Sequence, residues 1–182
     1  PKIVATATEG GTALFEMQYF DRTAYLNQSP QLFKQTMMST GLDRVYEIGP
    51  AFRAEEHDTI RHLNEYTSVD VEMAWADMED SMDLLERLVQ NIYSEILNNN
   101  YMDLEILDTK LVSPERPFPR ISYSDVIDIL QNEKVKVKDE KSGKKRKIEW
   151  GDDISTEGYK VLAKERPSLF FITDWPVDLK PF

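Results

Sequence analysis

The chain has 182 residues, 41% of them hydrophobic, which is enough to bury a real core and favours one domain. It has no cysteine and a formal charge of −11, which excludes disulfides, thiolate metal sites and a cysteine nucleophile. The charge also argues against broad electrostatic capture of nucleic acid, which depends on many cationic contacts to phosphate, so any such contact is expected to be local. No apolar run approaches the roughly 18 residues of a membrane span. The N-terminus Pro1-Lys2-Ile3-Val4-Ala5-Thr6 has no signal-peptide pattern, so a soluble, intracellular chain is expected.

From the N-terminus, Thr8-Glu9-Gly10-Gly11-Thr12 carries two glycines that allow a hinge. Ser29 suits an N-cap, Pro30 a first helical position and Gly41 a stop, predicting a short helix over 30–40. Gln31 and Lys34 share one face of its first turns, where free N–H groups favour an anion such as a small carboxylate. Residues 44–53 then alternate, with Tyr46, Ile48, Pro50 and Phe52 on one side and Val45, Glu47, Gly49, Ala51 and Arg53 on the other. After a polar loop the alternation returns, with Thr67, Val69, Val71, Met73 and Trp75 opposed to Tyr66, Ser68, Asp70 and Glu72. The two runs predict an antiparallel hairpin with one apolar and one chemical face.

Asp77 can cap a long helix in which Met82, Leu85, Leu88, Val89, Ile92, Tyr93, Ile96 and Leu97 recur at helical spacing; it is expected to cover the apolar face. Residues 104–112 read as a strand, and Pro114, Pro117 and Pro119 as a connection. Ser122 or Ser124 starts a shorter helix, 151–164 holds another, and 168–173 reads as a buried strand. Lys134 to Lys147 holds eight basic residues against Asp139 and Glu140, a net +6 that leaves −17 on the rest of the chain. Its alternation around Ser142-Gly143 fits a solvated hairpin tip, with a backbone contact to RNA as the other reading.

The densest chemistry runs from Phe52 to Glu72. Arg53 lies beside the small Gly49 and Ala51, Arg61 and His62 sit in the connecting loop, and guanidinium groups suit bidentate contact with phosphate. Asp70 lies inside a β-branched run where aspartate is disfavoured, which suits a cationic partner such as a ligand ammonium. Tyr66 on the same face offers a flat surface on which a base can stack. His57 and His62 lack a third ligand at metal spacing, so a zinc site is rejected. There is no P-loop and no G-x-G-x-x-G.

These residues resemble the catalytic domain of class II aminoacyl-tRNA synthetases, of the aspartyl type found in archaea and eukaryotes. Phe52-Arg53-Ala54-Glu55 resembles the second class-defining motif, with Arg61-His62-Leu63-Asn64-Glu65 as its loop and return. Gln28-Ser29-Pro30-Gln31-Leu32-Phe33-Lys34 resembles the aspartate-recognition segment, Thr8-Glu9-Gly10-Gly11 the flipping loop, and Pro1-Lys2-Ile3 the end of the first motif, where the family dimerises. The resemblance implies an α+β fold with a mainly antiparallel sheet flanked by helices. It also implies ATP-dependent formation of aspartyl-adenylate and transfer to tRNA, with Mg²⁺ bridging phosphates, in a cytoplasmic homodimer.

Carried over residue by residue, Arg53 would hold the α-phosphate, Glu55 would contact the adenine edge and Tyr66 would stack on adenine. Arg61, His62 and Leu63 would meet the ATP, with Arg61 and His62 at its γ-phosphate end. Lys34 would pair with the aspartate side chain, Ser29 and Gln31 would position the amino acid, and Asp70 with Glu9 would attract its ammonium. Loop 56–63 would meet the tRNA acceptor end.

The family's third motif, its metal-binding carboxylates and its anticodon-binding barrel have no counterpart here, so 1–182 reads as part of a catalytic domain with weak or no activity alone. An asparaginyl enzyme is disfavoured by Lys34, since a cation facing a neutral amide without a counter-charge costs on the order of several kcal/mol. The alternatives are a tRNA-independent asparagine synthetase using the same adenylate and a non-catalytic nucleotide-binding paralogue.

Overall fold

A computed structural model describes residues 2–6, 14–54, 63–138, 143–166 and 168–180. The chain divides into two compact units, Pro1–Met78 and Glu79–Phe182. Its architecture is mixed α/β with antiparallel sheets and helices, in line with the expected class; one strand pair is parallel. Among the described residues no helix is long and apolar enough to cross a membrane.

The first unit opens with β1 (Ile3–Val4), β2 (Glu16–Tyr19) and β3 (Arg22–Leu26), an antiparallel sheet in the order β1-β3-β2. The β2–β3 turn places Phe20 at φ 53°, a left-handed conformation normally left to Gly, Asn or Asp, so the usual sequence signal for a tight hairpin is missing. The sheet is carried on by Asn27, whose N–H donates to the Lys2 carbonyl at 2.8 Å and whose carbonyl accepts from the Phe52 N–H at 3.0 Å. Helix α1 (Gln31–Met38) follows, one residue later than expected. Ser29 still serves its start, its hydroxyl accepting from the Gln31 N–H at 3.1 Å, and Gly41 at φ +94° stops the chain beyond its end.

β4 (Arg44–Phe52) and β5 (Glu65–Met73) form the expected antiparallel hairpin, in register from Arg44 opposite Met73 to Phe52 opposite Glu65. Its faces are reversed from the usual rule. The chemical face, with Glu47, Gly49, Ala51, Arg53, Tyr66, Ser68, Asp70 and Glu72, is the shielded one. Within this unit the apolar face has no element against it, with Tyr46 at 74% and Ile48 at 62% exposure. The shielding comes from α1, which packs against both strands.

The second unit contains α2 (Met78–Asn99), α3 (Tyr101–Ile106), β6 (Arg120–Ser122), α4 (Tyr123–Asn132), β7 (Lys136–Lys138), β8 (Lys145–Lys147), α5 (Thr156–Glu165), β9 (Phe171–Thr173) and a 3-10 turn at Val177–Leu179. The strand expected over 104–112 does not form: 104–106 are the end of α3, followed by a turn and irregular chain to 112. The backbone closes on itself through Leu104 N–H to the Asn100 carbonyl and Leu107 N–H to the Asp103 carbonyl, and Asp108 at φ 47° ends the helix. Ile106, Leu107 and Val112 stay exposed, so no sheet face takes up this segment.

Ser122 caps α4 and Ser155 caps α5, their hydroxyls accepting from the N–H groups of Asp125 and Gly158. β6 pairs in parallel with β9, and the core between the elements is built from Ile121, Tyr123, Val126, Ile127, Leu130, Val137, Ile148, Ile154 and Leu162. Tyr123 is fully buried; its hydroxyl donates to the Asp152 carbonyl at 2.7 Å and accepts from the Gly151 N–H at 3.0 Å. A buried carboxylate holds the proline-rich connection to α2. Glu86, 2% exposed, accepts from the Phe118 N–H at 3.0 Å, from Arg120 at 2.5 Å and from Arg116 at 3.3 Å.

Candidate active site

Within the first unit, three segments converge: residues 27–29 after β3, the first turns of α1, and the shielded face of β4 and β5. Lys34, one turn into α1, is only 5% exposed. Its Nζ lies 2.9 Å from Asp70 Oδ1 and 3.6 Å from Glu72 Oε2. The two carboxylates meet one ammonium because residues two apart on a strand share a face. The other oxygen of Asp70 accepts a short hydrogen bond from the Ser68 hydroxyl. Burial pushes the Asp70 carboxyl up, but the Ser68 hydroxyl, the hydrogen bond and charge of Lys34, and the charge of Arg53 outweigh it and hold the group below the usual carboxylate range.

Arg53 follows β4, its N–H bonded to the Asn64 carbonyl at 2.9 Å, and its guanidinium lies 5.8 Å from the centre of the Tyr66 ring. Tyr66 stands opposite Ala51, and Gly49 and Ser68 form a further pair along the ladder. A Cβ added at Gly49 would meet only Glu47 Oε1, at 3.6 Å, so the floor beside Arg53 is low and open. Among the described residues, four buried side-chain polar atoms have no hydrogen-bond partner, and all belong to this region: Asn27 Oδ1, both amide atoms of Gln28, and Arg53 Nε. Leaving a buried polar group unpaired costs about 1–3 kcal/mol, and several such groups together suit a place that a polar ligand completes.

The structure thus brings together Lys34, Asp70, Arg53 and Tyr66 on one unit's inner surface. Ser29 and Gln31 stand at the start of α1, with the Ser29 hydroxyl taken up by the Gln31 N–H, and Leu63 is exposed just before β5. Glu9, Glu55, Arg61 and His62, and with them residues 56–62 of the loop, lie outside the described residues. The resemblance sets Lys34 and Asp70 at opposite ends of a ligand; the structure joins them directly. That pairing gives Lys34 two counter-charges within the protein, so its buried charge is already compensated in the ligand-free site. Periodicity gives no signal for a buried Asn27 or Gln28, since a polar pair ahead of a helix normally points to solvent. Nothing local shows that Asn27 is a bridge between β3 and β4.

Among the described residues no group of three or more histidines or carboxylates is placed to hold a metal ion. The site is matched to a zwitterion: a buried cation and two carboxylates beside an unfilled arginine and an aromatic ring, set on an antiparallel hairpin.

The hairpin and the segments packed on it form a fold of the class II synthetase kind, and the comparisons agree. The profile of the family described as tRNA synthetases class II (D, K and N) matches residues 1–182, and the chain belongs to that family. An aspartate–tRNA(Asp/Asn) ligase of Methanocaldococcus jannaschii is 49% identical over 182 residues, covering 100% of this chain and 39% of the relative. An aspartate–tRNA(Asp) ligase of Pyrococcus abyssi is 51% identical over 188 residues, covering 100% of this chain and 40% of the relative. Among solved structures, the asparaginyl-tRNA synthetase of Pyrococcus horikoshii complexed with asparaginyl-adenylate superposes with a TM-score of 0.83 at 38% identity, over 99% of this chain and 39% of that one. The chain therefore spans about two fifths of the length of the relatives it matches.

Proposed function

We propose that the full-length protein carrying this chain is an aspartate–tRNA ligase: it activates L-aspartate with ATP and passes the aspartyl group to the 3′ end of tRNA. The observation that carries this is the buried Lys34 ammonium held between Asp70 and Glu72. A ligand with an ammonium and a side-chain carboxylate can divide that ion pair, its carboxylate taking Lys34 and its ammonium taking Asp70, without stranding a buried charge. Aspartate is such a ligand. Asparagine offers only the ammonium to this pair, and the curated relatives at 49% and 51% identity are named for aspartate.

Catalysis then needs no protein base. The α-carboxylate of an amino acid is ionised at neutral pH, with a reference pKa of about 3.5. One of its oxygens attacks the α-phosphorus of ATP, the bond from that phosphorus to the pyrophosphate oxygen breaks, and pyrophosphate leaves with the electron pair. A ribose hydroxyl of the tRNA next attacks the carbonyl of the mixed anhydride and gives its proton to a phosphate oxygen of the departing AMP; the ester bond forms, the bond from the acyl carbon to the phosphate oxygen breaks, and AMP leaves.

Arg53 holds the α-phosphate through its unfilled Nε and neutralises charge that grows there, Tyr66 supports the adenine ring, and Gln28 with Asn27 completes polar contacts to the ligands. Glu9, Glu55, Arg61, His62 and Leu63 would serve as the resemblance implies, and the ligase would work as a homodimer. Mg²⁺ accompanies ATP in this family, but the described carboxylates do not fit a magnesium site, since Asp70 and Glu72 are already engaged by Lys34.

The full-length protein is expected to exchange labelled pyrophosphate into ATP when aspartate is present, and Arg53→Ala is expected to lower that rate about 100-fold or more. Equal exchange with asparagine would sink the choice of substrate. Aspartyl-adenylate formation without tRNA charging, but with ammonia-dependent asparagine production, would place the protein with the amide-forming enzymes instead.

A further inference from the structure

The basic hairpin of the second unit has a charge arrangement that packing does not explain. In the register of β7 and β8, Lys136 stands opposite Lys147 and Lys138 opposite Lys145, with Val137 opposite Arg146 between them. The residues alternate across the ribbon, so all four lysines share one face and Val137 and Arg146 share the other. The Val137 face is the anchored one. Val137 is buried in the core, and Arg146 grips Asp152 through two nitrogens at 2.6 Å each. All four lysines are exposed, and none has an ion-pair partner among the described residues.

Like charges directly opposite each other destabilise an antiparallel pair. A merely solvated face would be served better by lysines alternating with glutamates, and this chain has 33 acidic residues on which to draw. Here two pairs on one face are both Lys–Lys. That repulsion is relieved when phosphates lie along the ribbon and each ammonium gains a partner. Screening over about 8 Å at physiological salt lets the local +6 act in spite of the −17 on the rest of the chain.

We infer that the lysine face of the β7–β8 hairpin is a contact surface for an RNA sugar–phosphate backbone, with the tRNA of the proposed reaction as its occupant. The RNA occupant rests on the ligase reading above; the polyanion surface rests on the hairpin alone. The face carries no aromatic residue for base stacking, so it holds the backbone without reading sequence.

The test uses the full-length protein with Lys136, Lys138, Lys145 and Lys147 all changed to Gln, and the same four changed to Arg. For the Gln variant the KM for tRNA is expected to rise about tenfold with kcat little changed, and the slope of log Kd for tRNA against log salt to become shallower by about one for each phosphate no longer bound. The Arg variant should restore both. Aspartate-dependent pyrophosphate exchange should be unchanged, because no residue of the site is touched. Thermal unfolding should be unchanged or shifted upward as the opposed charges go; should the fourfold variant unfold early, Lys136→Gln and Lys145→Gln singly are expected to weaken tRNA binding about twofold each. Unchanged tRNA affinity and salt slope in folded variants would overturn the inference. Absence of exchange in the unaltered protein would instead overturn the ligase reading, leaving the salt slope of direct tRNA binding to judge the hairpin.

Discussion

Lys34 and Asp70 show how one residue's role is set by another 36 positions away. Lys34 is on the buried side of α1 where that side carries the ions that satisfy it; without Asp70 and Glu72 an ammonium at 5% exposure would be a buried charge with no partner. The pair is thus expected to be energetically coupled. In a double-mutant cycle of Lys34→Met and Asp70→Leu followed by urea unfolding, the double variant should be more stable than the sum of the singles implies, by about 1–3 kcal/mol. Additivity within about 0.5 kcal/mol would show that the two side chains do not interact in solution. On the proposed ligase reading the singles should also raise the KM for aspartate more than that for ATP, since Arg53 and Tyr66 remain.

Among the elements, α2 meets the arginines of the connection through Glu79, Asp83 and Glu86, of which Glu86 is the buried one. Glu86 receives a backbone N–H and two guanidinium groups, whereas its neighbour Glu79 meets Arg120 at 3.2 Å from a 63% exposed position. Geometry alone makes these look alike; burial separates them. Glu86→Ala strands Arg116, Arg120 and the Phe118 N–H together and is expected to cost about 3–5 kcal/mol in denaturant unfolding. Glu79→Ala should cost less than about 1 kcal/mol. Equal losses from both would mean that the connection is held by its prolines and packing rather than by the ion cluster. The prolines themselves were legible in the sequence. Their anchoring to Glu86 was not, because nothing in a helical pattern marks which glutamate faces inward.

For the molecule as a whole, acid is the expected weak point. Burial would raise both the Asp70 and Glu86 carboxyls, yet hydrogen bonds and neighbouring cations hold each below its ordinary value. A carboxyl depressed in the folded state contributes stability that is fully present above its unfolded pKa, about 4 for these residue types, and is lost as pH falls through the folded value. Stability to urea should therefore be flat in these two groups above about pH 5 and decline below about pH 4. Asp70→Asn combined with Glu86→Gln should flatten that decline while lowering stability at neutral pH; an unchanged acid limb would show that other groups govern it.

By itself the sequence determined the β4–β5 hairpin, the long helix α2, the serine-capped α4, the basic ribbon and the family resemblance, because these rest on periodicity, caps and short motifs that act over neighbouring residues. Only the tertiary structure decided which face of the hairpin is shielded, that 104–112 is no strand, that Lys34 is held by Asp70 and Glu72, and that Asn27 ties β3 to β4. Those outcomes depend on burial and on partners distant in sequence, and a charge or a buried amide takes its meaning from whatever the fold sets against it.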